Sequence, residues 1–272
     1  MEVNFLLPIS LFTIIMLSVL VYGRAMGRIK EFFGSKEISI REVIVIVIFM
    51  GILVTVMGLI PGYAVQILFG AAISYTLLIF TYLFTKKIIV AVIPPIIFIA
   101  ALLLLNLLLI EDVLAVILIT DIFSAIFAII AVTLLSPLFS WRVTIIFAGL
   151  LTVMDVFHVF VTGHMVEAAG KIMKLGLPLM ILLPRLPSLK ELTALGLGDV
   201  FLSGLIATRM VSKYNPKAGL ITALSISIIF LLFDIIAHNF IQYFRAFPAT
   251  ILVLSGWLLG ASPYTLKNWL RK

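Results

Sequence analysis

The stretch Leu195-Gly196-Leu197-Gly198-Asp199 decides the fold, because it places a carboxylate near the start of an apolar run that continues to Met210. Holding an ionisable carboxylate in hydrocarbon costs roughly 3 kcal/mol on insertion scales, so it needs a reason. The two glycines beside it leave room for a neighbouring helix to approach the backbone. A second carboxylate, Asp155, lies late in the preceding long apolar run. We interpret the chain as a scaffold that brings Asp155 and Asp199 together inside a membrane.

The composition identifies lipid as the solvent of this chain. Of its 272 residues, 64% are hydrophobic and only 11% are charged, which is too apolar for a water-soluble domain. The chain has no cysteine, which excludes disulfides, thiolate metal sites and a cysteine nucleophile. We assign the net charge of +7 to cytoplasmic loops beside the membrane rather than to nucleic-acid binding.

Apolar runs of about 18 to 23 residues recur along the chain, each long enough to cross roughly 30 Å of hydrocarbon. They predict one all-α membrane domain covering residues 1–272. Nine transmembrane helices are expected, at residues 5–22, 43–60, 64–85, 88–110, 113–135, 142–162, 193–212, 218–238 and 247–262. The first run has no separate cleavage site, so we expect it to be retained as a helix. The single long connection, Gly163–Leu192, lies between the two helices that carry the central aspartates.

The distribution of basic residues predicts the orientation in the cell membrane. With the N-terminus outside and the C-terminus in the cytoplasm, 14 of the 19 Lys and Arg residues lie inside and 5 outside, as the positive-inside rule favours. In this orientation Asp155 lies seven residues before the outer end of its helix, and Asp199 six residues after the outer start of the next. At 1.5 Å per residue, both carboxylates are expected roughly 9–11 Å below the outer surface.

Three motifs follow one another along the chain. Asp155 precedes Val156-Phe157-His158-Val159-Phe160 and Gly163-His164-Met165, residues 196–199 form a GxGD motif, and Pro248-Ala249-Thr250 opens the last apolar run. Over nearly its whole length the chain thereby resembles the presenilin and signal peptide peptidase family of intramembrane aspartyl proteases, in an archaeal presenilin-like form. The chain differs from that family in two motif residues: Met154 stands where the family has Tyr, and Thr250 where its Pro-Ala-Leu motif has Leu. The resemblance implies a presenilin-like fold of nine helices.

Two carboxylates are the candidate catalytic groups. Carboxylates about 3 Å apart cannot both ionise readily, so they share one proton and supply both a base and an acid for amide hydrolysis by water. Spacing alone leaves Asp121 open as the partner of Asp199, and the resemblance selects Asp155. We interpret Asp121 and Asp234 as hydrogen-bonded or interface-facing residues and His158 as a polar neighbour of the water-filled cavity. No metal or other cofactor is expected, and the choice between the two aspartates as base stays open.

A protease in the membrane must also open its substrate helix, since a helix keeps its peptide groups paired. The apolar stretch Leu179–Leu183 lies between Pro178 and Pro184. It is too short to span a membrane, and the prolines discourage a helix. We expect it to form an extended edge on which the substrate pairs as an added strand; the alternative is an interfacial loop. This stretch is similar to the one ahead of GxGD in signal peptide peptidases. The expected substrate-binding residues are Leu179, Met180, Ile181, Leu182 and Leu183, Gly196, Leu197 and Gly198, and Pro248, Ala249 and Thr250.

The favoured function is an intramembrane aspartyl endopeptidase that cleaves transmembrane segments or signal-peptide remnants. The predicted orientation matches the signal peptide peptidase branch and implies type II substrates. One alternative is a prepilin or preflagellin peptidase, which also uses GxGD but has fewer helices and a cytosol-facing site. Another is a transporter with the intramembrane aspartates as an ion path, although we find none of the inverted repeats that transporters often have. No nucleic-acid partner is expected, and the oligomeric state stays open.

Overall fold

A computed structural model describes residues 4–34, 36–108, 113–185, 191–241 and 246–269. Within these ranges the chain forms ten α-helices and one antiparallel pair of strands. The helices are α1 Leu6–Phe33, α2 Ile40–Val56, α3 Gly62–Thr85, α4 Ile88–Leu108, α5 Val113–Leu135, α6 Trp141–Val156, α7 His164–Lys174, α8 Leu197–Lys213, α9 Pro216–Ile236 and α10 Ala249–Trp269. The strands are β1 Met180–Pro184 and β2 Leu192–Gly196.

The helices make this an all-α, multi-pass membrane protein. Six helical stretches of the described chain are long and apolar enough to cross a membrane: Leu6–Phe33, Gly62–Thr85, Ile88–Leu105, Ala115–Leu138, Trp141–Val161 and Pro216–Asn239. Each of the nine predicted spans overlaps a helix. However, α2 and α8 have only 17 residues each, at the lower limit for a span, and the apolar part of α10, Ala249–Tyr264, is also short. Nine spans therefore stay a prediction.

Local signals explain where several helices begin and end. At α2, the Ser39 hydroxyl accepts from the Glu42 N–H while the Glu42 carboxylate accepts from the Ser39 N–H, which satisfies two N-terminal donors. The side chain of Asn215 caps α9 in the same way by accepting from the Ala218 N–H at 2.9 Å. α1 runs on to Phe33 instead of ending at Tyr22, because the charged residues after the apolar run are themselves good helix formers.

The connection predicted as Gly163–Leu192 contains three elements. It holds the helix α7, the strand β1 and the first residue of β2. The predicted start of the seventh span at Thr193 is wrong, because residues up to Gly196 belong to β2 and pair with β1. The depth derived for Asp199 is therefore also unsupported, since a strand rises roughly 3.3 Å per residue rather than 1.5 Å.

The helix α8 lies at the centre of the bundle, with eleven of its 17 residues buried. Its close contact with a neighbour is at Gly204, where an added Cβ would lie 2.6 Å from a methyl group of Val132 in α5. The expectation of a close helix approach at the GxGD glycines is wrong. In the part of the chain that the structure describes, a Cβ at Gly198 would meet no atom within 4 Å, and at Gly196 it would meet only Asp199.

Candidate active site

A cavity of about 450 Å³ lies within the bundle, between α6, β2, α8, α9 and α10. Most of its lining is apolar, which is the usual character of a ligand site. Asp155 and Asp199 both line it, together with Ala194, Gly196 and Ala249. The cavity thus joins the two central aspartates to the hairpin and to the start of the last helix.

The two aspartates reach the cavity from two different helices. Asp155 lies in the last turn of α6 and Asp199 in the first turn of α8, and their residues are 6% and 8% exposed. The carboxylates are close enough for a direct Coulombic interaction between them. Among the described residues, Asp121 does not line this cavity. The arrangement therefore pairs Asp199 with Asp155, which the spacing in the sequence could not decide.

Each carboxylate has its own local support. The Asp155 Oδ2 atom accepts a hydrogen bond from the Thr250 hydroxyl at 2.8 Å and a longer one from the Thr250 N–H at 3.4 Å. The Asp199 Oδ2 atom lies so close to Gly196 that an added Cβ there would be 3.0 Å away. Any larger residue at position 196 would press on Asp199, so the first glycine of GxGD makes room for the Asp199 carboxylate itself.

The hairpin confirms that the proline-bounded stretch is extended, but the prediction of a free edge on β1 is wrong. The carboxylate of Asp121 accepts from the Leu182 N–H at 2.8 Å, and the Ser124 hydroxyl donates to the Met180 carbonyl at 2.8 Å. Both side chains belong to α5, so this helix occupies the outer edge of β1. The interpretation of Asp121 as a hydrogen-bonded residue is confirmed.

The free edge of the hairpin belongs to β2. Residues of an antiparallel pair point their main-chain groups alternately toward and away from the partner strand. Leu182 points toward α5, and Ala194 is the residue opposite it in the register. The N–H and C=O of Ala194 therefore point away from β1, on the side that lines the cavity. In the described part of the chain, no third strand pairs with β2.

Only three of the predicted substrate-binding residues line the cavity, namely Met180, Gly196 and Ala249. The others support the hairpin or the nearby helices. Ile181 is buried in the main hydrophobic cluster, and the Leu179 carbonyl accepts from the Leu197 N–H at 3.1 Å. The Leu182 N–H donates to Asp121 and the Thr250 hydroxyl donates to Asp155. Leu183 is a half-buried residue of β1. Pro248 precedes α10, which begins at Ala249, and Gly198 is exposed.

An ion pair at one end of the cavity was not foreseen as part of the site. The Arg185 Nη2 atom lies 2.7 Å from the Asp234 Oδ1 atom, and both residues line the cavity. The other Asp234 oxygen accepts from the Asn4 N–H at 3.1 Å, while the Asn4 side chain donates to the Thr193 hydroxyl at 3.0 Å. The interpretation of Asp234 as a hydrogen-bonded residue is confirmed. A clue in the sequence was that Arg185 directly follows the proline-bounded apolar stretch.

His158 lies on another side of α6 than expected. Its ring contacts Thr55 of α2 at 3.1 Å and the Met154 carbonyl at 2.9 Å. It lines a groove between α2 and α6 and is not among the described residues that line the cavity. The segment Phe157–Val161 is a π-helix, and its wider turn changes which side of the helix each residue faces.

Comparison with known proteins adds no functional assignment. No protein-family model matches the sequence, and no curated protein matches it at a significant level. The chemistry open to the site follows from its geometry: two buried carboxylates share one cavity with a free strand edge.

Proposed function

We propose that this protein is an intramembrane aspartyl endopeptidase with Asp155 and Asp199 as its catalytic pair. One observation carries the proposal: two carboxylates from separate helices line one cavity inside a bundle of membrane helices. A buried carboxylate is costly in such a place and usually marks a functional site. The order of the motifs and their resemblance to the presenilin and signal peptide peptidase family support the same chemistry.

In the proposed reaction the two carboxyl groups hold one proton between them. The ionised aspartate takes a proton from water while the water oxygen attacks the carbonyl carbon of the scissile bond. The protonated aspartate gives its proton to the carbonyl oxygen, which forms a neutral gem-diol. Breakdown of this intermediate transfers a proton to the amide nitrogen, cleaves the C–N bond and releases a carboxyl and an amino product. Every proton moves between water, substrate and the pair, so the chemistry is that of general acid–base catalysis.

The substrate would bind as a third strand on β2. The free main-chain groups of Ala194 lie on the cavity side of the hairpin, and an unwound peptide can satisfy them by strand addition. β2 leads directly into α8, which carries Asp199. A peptide that pairs antiparallel to β2 would therefore lead away from the aspartates in its own N-to-C direction. Residues on the C-terminal side of the scissile bond would then lie along β2.

The proposed membrane arrangement has nine spans, with the N-terminus outside and the C-terminus in the cytoplasm. It is supported by the 14-to-5 partition of basic residues between the two sides. Substrates would be type II transmembrane segments or signal-peptide remnants, which fits the signal peptide peptidase branch of the family. Residues 1–3 and 270–272 lie outside the described part of the chain, so labelling must locate both ends.

An ion-coupled transporter is the second candidate, because Asp155, Asp199 and Asp234 line one cavity. The two functions differ in what they need from the cavity. A protease needs the central pair and a peptide edge, whereas an ion path needs continuous polar groups across the membrane. Asp234 is already neutralised by Arg185 at 2.7 Å, which favours the protease.

The experiment is cleavage of a reporter transmembrane peptide by the purified protein in detergent, with the products identified by mass spectrometry. We expect Asp155→Asn and Asp199→Asn each to abolish cleavage, because each removes either the base or the acid. Asp121→Asn is the matched control: its side-chain oxygen can still accept from the Leu182 N–H, so it should keep substantial activity. Cleavage that survives in both dyad variants would refute the proposal. Loss in Asp121→Asn with activity in Asp155→Asn would show that the pair is misassigned.

A further inference from the structure

The Thr250 side chain touches one catalytic carboxylate and gives the pair an asymmetry. Thr250 is the second residue of α10 and only 6% exposed, and its hydroxyl lies 2.8 Å from the Asp155 Oδ2 atom. Its N–H points at the same oxygen from 3.4 Å. Within the described residues, the Asp199 carboxylate has only its own main-chain N–H as a donor. The two carboxyl groups therefore lie in different hydrogen-bonding environments.

Both contacts are directed at the same oxygen. A main-chain N–H can only donate, so the Asp155 Oδ2 atom accepts from the Thr250 N–H. With the hydroxyl at 2.8 Å also donating, this oxygen accepts two hydrogen bonds from Thr250. Donors directed at a carboxylate favour its ionised form, and bonds to an ionised acceptor are among the stronger ones in proteins.

We propose that Thr250 is a positioning residue that fixes Asp155 as the base of the pair and leaves the shared proton on Asp199. The inference rests on the proposed function and assigns the roles within it. The Thr250 hydroxyl, held at the start of α10, orients the Asp155 carboxylate to take a proton from the attacking water. The leucine in the related Pro-Ala-Leu motif has no side-chain donor, so the hydroxyl contact is a property of this chain.

Other ionisable groups face Asp155 from the elements around it. Asp199 approaches from α8, His158 lies one turn further along the same polypeptide segment, and the Arg185–Asp234 pair lines the same cavity. None of them is altered by a substitution at position 250. A change in pH dependence in such a variant therefore reports the loss of the hydroxyl and not a new charge.

The direct test compares pH–rate profiles of wild type, Thr250→Val and Thr250→Ser. Valine keeps the shape of threonine but has no donor, so ionising Asp155 becomes harder. The acid limb of kcat/KM should move up by about one pH unit, the scale of one hydrogen bond to a charged group. The basic limb reports the loss of the shared proton from Asp199. Asp155 is ionised both before and after that loss, so the basic limb should stay in place. Thr250→Ser keeps the hydroxyl and should restore the wild-type acid limb.

Thr152→Val is the matched control, because Thr152 lies on α6 one turn before Asp155 and its hydroxyl donates to the Ala148 carbonyl. Its acid limb should coincide with that of wild type. A second readout follows the protonated-carboxyl infrared band through a pH titration, with Asp155→Asn identifying the contribution of Asp155. That titration needs no turnover, so it tests the Thr250 contact even if the wild-type protein cleaves nothing, a result that would overturn only the proposed function.

Two results would overturn the assignment of Thr250. One is a folded Thr250→Val protein whose acid limb and infrared midpoint both equal those of wild type. The other is a Thr250→Ser protein that shifts as far as Thr250→Val, since the effect would then come from packing of the methyl group. If valine prevents folding, the pair Thr250→Ala and Thr250→Ser makes the same comparison, and equal profiles for these two variants would again exclude a role for the hydroxyl.

Discussion

Replacing Ala194 by proline should weaken peptide cleavage without dismantling the hairpin. Ala194 lies opposite Leu182, and its main-chain groups point away from β1 toward the cavity. Proline has no N–H, but at an edge position that faces away from the neighbouring strand it removes no bond of the ladder. The hairpin, the cavity and both aspartates should therefore remain, while a substrate strand loses its donor at this residue.

The size of the effect follows from the number of main-chain bonds that are lost. The missing N–H removes one hydrogen bond to the substrate, and the proline ring between the strands weakens a second. At about 1 kcal/mol for each bond, kcat/KM should fall about five- to thirtyfold. Ala194→Ser retains the N–H and should keep nearly full activity.

The assay measures kcat/KM on the reporter peptide, together with binding of a small active-site-directed inhibitor and thermal stability in detergent. Unchanged inhibitor binding and stability would show that chemistry and fold are intact. Wild-type cleavage by a folded Ala194→Pro protein would refute strand addition on β2. Ile181→Pro provides the contrast, because the Ile181 main chain points toward β2 and the loss of its N–H should disrupt the hairpin itself. Ile181→Val should keep both the hairpin and cleavage.

Three further predictions concern the surroundings of the cavity. Asp121→Leu leaves the Leu182 N–H of β1 without its acceptor. The free energy of unfolding should therefore fall by about 1–3 kcal/mol in thermal unfolding, and cleavage should fall with it. Stability equal to that of Asp121→Asn would contradict this prediction. Arg185→Gln leaves the Asp234 carboxylate buried without its cation, which should lower the free energy of unfolding by about 3 kcal/mol. Adding Asp234→Asn should recover part of that loss, whereas strictly additive effects in the double variant would argue against the ion pair. An N-terminal tag should be labelled on intact cells and a tag after Lys272 should not, as the charge distribution predicts; the reverse pattern would overturn the orientation and the type II preference.

Hydropathy predicted the helices well where an apolar run is bounded by a change in composition. The span predicted at 113–135 coincides with α5. The boundary between β2 and α8 has no such mark, because Leu195 and Leu197 on its two sides are equally apolar. Only pairing with β1, on a separate segment of the chain, makes residues up to Gly196 a strand. Hydropathy alone therefore could not predict the hairpin.

The candidate site shows the same division between local and distant information. Asp155 and Asp199 could be selected from their positions in apolar runs and from the motifs around them. The roles of Asp121 and Thr250 could not, because their partners are distant along the chain: Asp121 binds a residue 61 positions away, and Thr250 one 95 positions away. Neither contact leaves a local pattern in the sequence, because both depend on how distant helices and strands pack against one another.

The hairpin and the helix α8 are joined in a way that would tie the register of the proposed substrate strand to the Asp199 carboxylate. The Leu197 N–H, in the first residue of α8, donates to the Leu179 carbonyl at 3.1 Å, so the ladder of the hairpin continues into the first turn of the helix. Asp199 follows two residues later. A peptide paired with Ala194 is thereby held at a fixed offset from the Asp199 carboxylate, and a slip of one residue would turn its main-chain groups away from β2. Under the proposed strand addition, main-chain bonds set this offset, so the cleavage position should depend more on where a substrate unwinds than on its side chains.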